Sequence, residues 1–318
     1  MSSIAYVTDN NMIEFHRVMG NKQLVFWRIS SNLRFTDFHN GDLLFFLAKG
    51  TERSKNDREK GIIGYGQFTK GETLTPQIAW RRYKTLNGYA TKEEFYETLT
   101  KVEKNKQLPE HISCLHLSNV VFFQAPIYLS ELGINISNKV ESYVYLDKEE
   151  DTTLRILEKA KEVGIDAWSL SLSDEEDESF ERTQQREIIA RVSEFLKRKD
   201  IHKEKSINRF MLKALAQLEK EYTEIDFIKR STIEAYQISD DRISIFVPVL
   251  YSNKNKMQVI QYCVGKLLAY RSLLEMDPYI EMDIELVALF QEELEEGLVD
   301  MLEGCGVVCR CISESVNG

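Results

Sequence analysis

The sequence predicts a two-part α/β (α+β) chain: a small N-terminal β-barrel with flanking helices, then a mixed sheet layered between helices. Three observations carry that prediction. Up to residue 147 the chain runs in short apolar stretches broken by Asn-Gly and Gly-x-Gly signals. From residue 182 a helical period dominates before giving way to strands. Between them, 174–178 is an acidic run with no apolar residue to bury. At 318 residues, 43% hydrophobic and 29% charged with five prolines, the chain is long enough for two cores.

Taken in order, residues 22–29 bring Val25, Phe26, Trp27 and Ile29 together as a mostly buried strand, with Arg28 the exception. Ser30, Ser31 and Asn32 end it. Asn40-Gly41-Asp42 is a turn before the apolar strand 43–48, and 49–60 is a loop whose five basic residues are diluted by Glu52, Asp57 and Glu59. Ile62, Ile63, Tyr65 and Phe68 form a third strand, in which Gly64 and Gly66 permit a bend or a close backbone approach. Thr91 and Glu94 read as a capping box ahead of Phe95, Leu99 and Val102 at helical spacing. Strands at 115–123 and 143–146 complete the barrel over 1–147.

Residues 148–181 are read as a connector: a helix through Leu154, Leu157, Ala160 and Val163, then the acidic run. The second domain, 182–318, opens with two helix faces, Ile188, Ile189, Val192, Phe195 and Leu196, then Ile207, Phe210, Met211, Ala214, Leu215 and Leu218. Three strands follow at 223–229, 232–238 and 243–250, then a helix through Val259, Cys263, Leu267 and Leu274. A strand at 284–289, a helix at 292–302 and a strand at 307–312 make a β-α-β unit, for which a parallel pair is expected.

Composition narrows the function classes. Residues 1–147 hold 18 basic and 16 acidic side chains and the remainder 23 and 35, so the net charge of −10 belongs to the C-terminal half. That balance opposes a broad grip on phosphates but leaves a localised site open. There is no 18-residue apolar run and no basic-then-apolar N-terminus, so a cytoplasmic protein without membrane contact is expected. Five cysteines in a long chain do not form a secreted framework, and Cys305, Cys309 and Cys311 lack a histidine nearby. They are expected as buried thiols, with no metal site. No phosphate-binding loop, nucleophile elbow or dinucleotide fingerprint occurs.

Trp27-Arg28 at a strand end, Asn40-Gly41-Asp42 leading into LLFFLAKG, then GIIGYGQF and IYLSELGI, in that order, resemble an EVE domain of the PUA-like superfamily, which also includes YTH and ASCH domains. The resemblance spans residues 5–147. It implies a pocket for an unpaired or flipped base, often a modified one, held between aromatic and polar side chains. Flipping loses a few kcal/mol of stacking, which an aromatic platform of about 1–3 kcal/mol per base replaces. By position the base-binding candidates are Trp27, Arg28, Ser30 and Asn32; Trp80 and Tyr83 are a second stacking pair. Arg81 and Arg82 beside them, with Lys49 and Arg53 of the loop, are the phosphate candidates. Each has a plainer reading: Trp27 as core, 80–84 as a solvated helix with two anchoring rings, and 49–60 as a solvated loop.

The order helix, three strands, helix, strand over 182–315, with the run Gly265-Lys266-Leu267-Leu268-Ala269-Tyr270-Arg271, resembles the PD-(D/E)XK nuclease fold. That resemblance implies carboxylates holding Mg²⁺ beside a lysine. The third strand departs from it: ISIFVPVL has neither acid nor lysine, and Pro248 points to an edge or a bulge. Glu224, Asp226, Glu234 and Lys256 are the remaining catalytic candidates. The expectation is a degenerate domain that does not cleave, serving homodimer assembly or recruitment, with no cofactor. The whole is then expected to read a flipped, modified base, a modified cytosine in DNA, in modification-dependent restriction or phage defence. Two alternatives stay open: a Mg²⁺-dependent endonuclease with a rearranged site, and an interaction scaffold that binds no nucleic acid.

Overall fold

The computed structural model describes residues 3–29, 35–52, 59–137, 139–147, 151–171, 178–197, 204–252 and 254–312. The chain divides into two units, 1–180 and 181–318.

The first unit is organised by side-chain alternation. Its strands β1 (Ile4–Thr8), β2 (Leu24–Arg28), β3 (Leu43–Ala48), β4 (Gly61–Leu74), β5 (Ile112–Ile127) and β6 (Tyr143–Tyr145) run β2-β5-β4-β3-β1-β6 across one sheet. β1 lies parallel to β3; the other pairs are antiparallel. Successive residues point to opposite faces, and both faces are covered, which is why LLFFLA is apolar throughout. Ala5, Val7, Phe45, Leu47 and Tyr65 pack with one core, and Ile4, Tyr6, Leu44, Phe46 and Phe26 with the other.

β5, β4 and β3 separate β2 from β1 in the sheet, yet the rings of Tyr6 and Phe26 meet edge-on with centroids 4.8 Å apart. The sheet therefore curls into a barrel that closes on side chains. Register shifts along β4, at Ile62/Gly64, Tyr65/Gln67 and Phe68/Lys70, supply the bend.

Helix α1 (Asn10–Val18), capped by Asp9, and strand β1 were not anticipated from the sequence, although IAYVT has strand composition. β4 and β5 run on past the barrel and carry α2 (Pro76–Tyr83), a 3₁₀ turn (Lys84–Asn87) and α3 (Lys92–Val102) between them. Thr75 caps α2 with Pro76 in its first turn, and the Thr91/Glu94 capping box is formed in full. α4 (Thr152–Val163) buries Ile156, Leu157 and Ala160 in the same core as Phe45 and Val121. The short α5 (Ala167–Ser171) follows.

His16 on α1 is fully buried. Asn21 Nδ2 lies 3.0 Å from its Nδ1. Burial pulls its pKa from 6.5 down to about 4, so the unfolded chain takes up a proton there that the folded unit refuses. The stability gained by keeping His16 neutral is complete above the unfolded value and lost as pH falls toward the folded one, about 3 kcal/mol in all. Melting temperature measured from neutral pH downward should fall steeply for the wild type and less so for His16→Gln; equal slopes would refute the assignment.

In the second unit, α6 (Glu178–Phe195) and α7 (Glu204–Leu218) precede a sheet ordered β11-β10-β9-β8-β7. Its strands are β7 (Asp226–Phe227), β8 (Ala235–Ile238), β9 (Arg242–Val249), β10 (Asp283–Phe290) and β11 (Val307–Cys311), with α8 (Lys256–Glu275) and α9 (Glu296–Gly304) as crossovers. β7, β8 and β9 form an antiparallel meander, and β9, β10 and β11 are parallel, including the expected β10–β11 pair.

Two expectations are corrected here. β9 is the central strand, despite Pro248; its pairing with β8 ends at Phe246, so the proline sits where that neighbour has stopped. Cys311 is exposed and Cys309 only partly buried, because β11 is an edge strand rather than an interior one, and Cys305, also exposed, caps the end of α9. Among the described residues no helix is long and apolar enough to cross a membrane, and no group of His, Cys, Asp or Glu is placed to hold a metal ion.

Candidate functional site

Trp27 and Arg28 are neighbours in β2 and so face opposite sides of the sheet. Trp27 points outward. Its ring packs against Tyr89 and Phe95, with centroids 6.2 and 5.9 Å away, and its Nε1–H donates to the Asn87 carbonyl at 3.1 Å. Trp80 also stacks on Phe95 at 5.9 Å, so both tryptophans belong to the packing of α2 and α3 on β2. Trp27→Phe should cost about 1–2 kcal/mol by removing the indole hydrogen bond and part of this contact. A thermal melt that does not move would detach Trp27 from that packing.

Tyr83 is held in a polar bracket. Its hydroxyl and His116 Nε2, the latter at 2.7 Å, both meet Glu72 Oε1, while Arg82 reaches Glu72 Oε2 at 3.2 Å. Burial alone would push the Glu72 carboxyl up, but the hydrogen bonds from Tyr83 and His116 hold it below the usual carboxylate range. Arg81 and Lys49 are exposed. Ser30, Asn32 and Arg53 lie outside the described residues.

Arg28 points into the barrel. It is 6% exposed, and its guanidinium carbon lies 5.2 Å from the centre of the Tyr6 ring and 5.5 Å from that of Phe35. Around it runs a continuous set of rings. Tyr6 stacks on Tyr143 at 5.9 Å, Phe35 meets Tyr143 edge-on at 5.1 Å, and Phe38 bridges Phe35 and Phe68 at 5.0 and 4.8 Å. Tyr145, edge-on to Tyr143, accepts the Thr36 and Asp37 backbone N–H groups on its hydroxyl at 3.1 and 3.3 Å, pinning that segment to β6.

Burial depresses the Arg28 pKa, and the phenols of Tyr6 and Tyr143 oppose that shift; a guanidinium still keeps its proton. Its Nε has no hydrogen-bond partner among the described residues. The arrangement sets a mostly buried guanidinium, its Nε unpartnered among the described residues, beside packed aromatic rings, a pairing of donors and apolar surface that suits a planar ligand edged with acceptors. Of the four base-binding candidates among the described residues, only Arg28 stands among these rings; Tyr6, Phe35, Phe38, Tyr143 and Tyr145 were missed. The alternation in Tyr143-Val144-Tyr145 was the one available signal, since it puts both tyrosines on one face.

In the second unit the catalytic candidates are dispersed. Glu224 is exposed and pairs with Arg182 at 3.1 Å; Asp226, also exposed, accepts from the Phe227 N–H at 2.7 Å. Lys256 lies 3.8 Å from Glu295 and above the Tyr251 ring. Glu234 alone is buried, accepting from Lys266 Nζ, from the Tyr270 hydroxyl at 2.6 Å and from Ser193 Oγ at 3.1 Å. Lys266 and Tyr270 come from the Gly265–Arg271 run noted in the sequence, so that run serves to neutralise Glu234. A carboxylate with its acceptor sites taken by an ammonium and two hydroxyls does not fit a Mg²⁺ ligand.

By fold and site the chain is a two-unit α/β protein whose first unit is a barrel with a guanidinium set among aromatic rings. No family model and no curated protein matches it. It is similar to crystal structures of ASCH from Zymomonas mobilis. One is the unsubstituted protein, at 12% identity over 48% of this chain and 94% of that one, with a TM-score of 0.33. Another is a single-site variant, at 12% identity over 49% and 95%, with a TM-score of 0.34.

Proposed function

We propose that the chain binds nucleic acid and holds one flipped, modified base, a modified cytosine in DNA, against the rings and guanidinium at the Arg28 site. The observation that carries this reading is Arg28 itself, a buried cation walled by Tyr6, Phe35 and Tyr143. Aromatic faces replace the stacking that a base loses on leaving the helix, and the guanidinium donors satisfy its ring acceptors. The exposed Arg81 and the half-paired Arg82 on α2 supply local phosphate contacts, in keeping with an N-terminal part of nearly balanced charge. The second unit, with Glu234 neutralised internally, serves assembly or recruitment, a division of labour suited to modification-dependent restriction or phage defence.

The test is binding of purified protein to matched oligonucleotides, single- and double-stranded, bearing unmodified, methylated, hydroxymethylated and carboxylated cytosine at a stated salt concentration. Preference for any modified form supports the reading. Uniform or absent binding overturns it in favour of a scaffold, and Mg²⁺-dependent products in the same tubes would restore the nuclease.

A further inference from the structure

We infer that the ligand at the Arg28 site is anionic: a planar pyrimidine ring carrying a carboxylate. The inference rests on the base-binding reading above and names the chemistry that reading leaves open.

It starts from an imbalance. Arg28 is more than nine-tenths buried, yet no carboxylate among the described residues pairs with it. The groups facing it from the other strands are the phenols of Tyr6 on β1 and Tyr143 on β6, and no carboxylate is among them. The nearest acids of the 35–42 segment are engaged elsewhere, Asp42 accepting the His39 N–H at 2.7 Å and Asp37 standing 3.8 Å from the His39 ring. A desolvated cation with no counter-charge among the described residues stands against its own cost in stability, and a binding site is where such a cost persists.

The ring geometry then selects the kind of anion. Stacked and edge-on aromatics accept a flat ring and exclude a tetrahedral phosphate from their faces. A guanidinium fork matches the two oxygens of a carboxylate lying in that ring's plane. A neutral methyl or hydroxymethyl group would fill space but leave the charge unbalanced. A carboxylated cytosine or uracil meets both demands.

The experiment compares wild type, Arg28→Lys and Arg28→Met against cytosine, 5-methylcytosine and 5-carboxycytosine in the same oligonucleotide, and against free 5-carboxydeoxycytidine. The carboxylated oligonucleotide should bind wild type about 10- to 100-fold tighter than the methylated one. Arg28→Met should abolish that ratio and Arg28→Lys keep part of it. Without ligand, Arg28→Met should melt roughly 2–4 °C higher than wild type, because it removes a buried charge that no described carboxylate balances; a structural arginine would do the opposite. Tighter binding of the methylated form, unaffected by Arg28→Met, would leave the base reader standing and overturn the anionic ligand. Equal affinity for the free nucleoside and the oligonucleotide would keep the anionic ligand and overturn the nucleic-acid reading. A lower melting point for Arg28→Met with no discrimination among bases would overturn both.

Discussion

Replacing Glu234 with alanine is expected to lower the stability of the second unit by about 3–5 kcal/mol, the scale seen when one partner of a buried ion pair is removed. Glu234 and Lys266 side chains are 5% and 10% exposed, and three donors from α6 and α8 converge on the one carboxylate. Alanine would strand all of them, an ammonium included. Burial and the neighbouring Glu234 charge push the Tyr270 phenol far up, so it stays a donor and cannot adapt by ionising. The double variant Glu234→Leu with Lys266→Met removes charge from both sides and should recover most of the loss. Urea midpoints for the two variants decide the matter. A single variant that unfolds like wild type would show that the pair does not organise this unit.

The second large effect is expected at Gly64, in the first unit. A Cβ built there would stand 2.3 Å from the Val121 carbonyl oxygen and 3.1 Å from the Phe122 Cα, so the obstruction is backbone of the paired strand and not a movable side chain. Gly64 also stands at the register shift where β4 bends, and β4 pairs with both β3 and β5. Gly64→Ala must push β5 away or straighten β4, and either opens the barrel. The expected cost is about 3 kcal/mol or more, seen as a broad, early thermal transition and poor soluble yield. Gly71 on the same strand is the control. Its Cβ would find no atom closer than 3.6 Å, so Gly71→Ala should melt like wild type.

These two positions mark where sequence reading holds and where it stops. Gly64 announces a bend or a close approach by itself, because a glycine inside an apolar strand weakens the strand and is kept where backbone must come near. The capping box at Thr91 and Glu94, the apolar run of β3, the helical faces of α7 and α8 and the parallel β10–β11 pair were legible for a related reason. Each is decided by hydrogen bonds or side-chain periods within a few residues, or by one short crossover. Glu234 and Lys266 are 32 residues apart, and no local rule joins them.

The site shows the limit most clearly. The sequence alone determined that β2 ends in an aromatic beside a cation and that alternate residues of β2 must part to opposite faces. It could not say which face would be inside. That was decided when the sheet curled far enough for Tyr6 on β1 to meet Phe26 on β2, which turned Arg28 inward among Phe35 and Tyr143 and sent Trp27 outward to Phe95. Barrel closure is a contact between strands that share no hydrogen bond, set by accumulated bend and twist across the whole sheet, and no stretch of the chain records that sum.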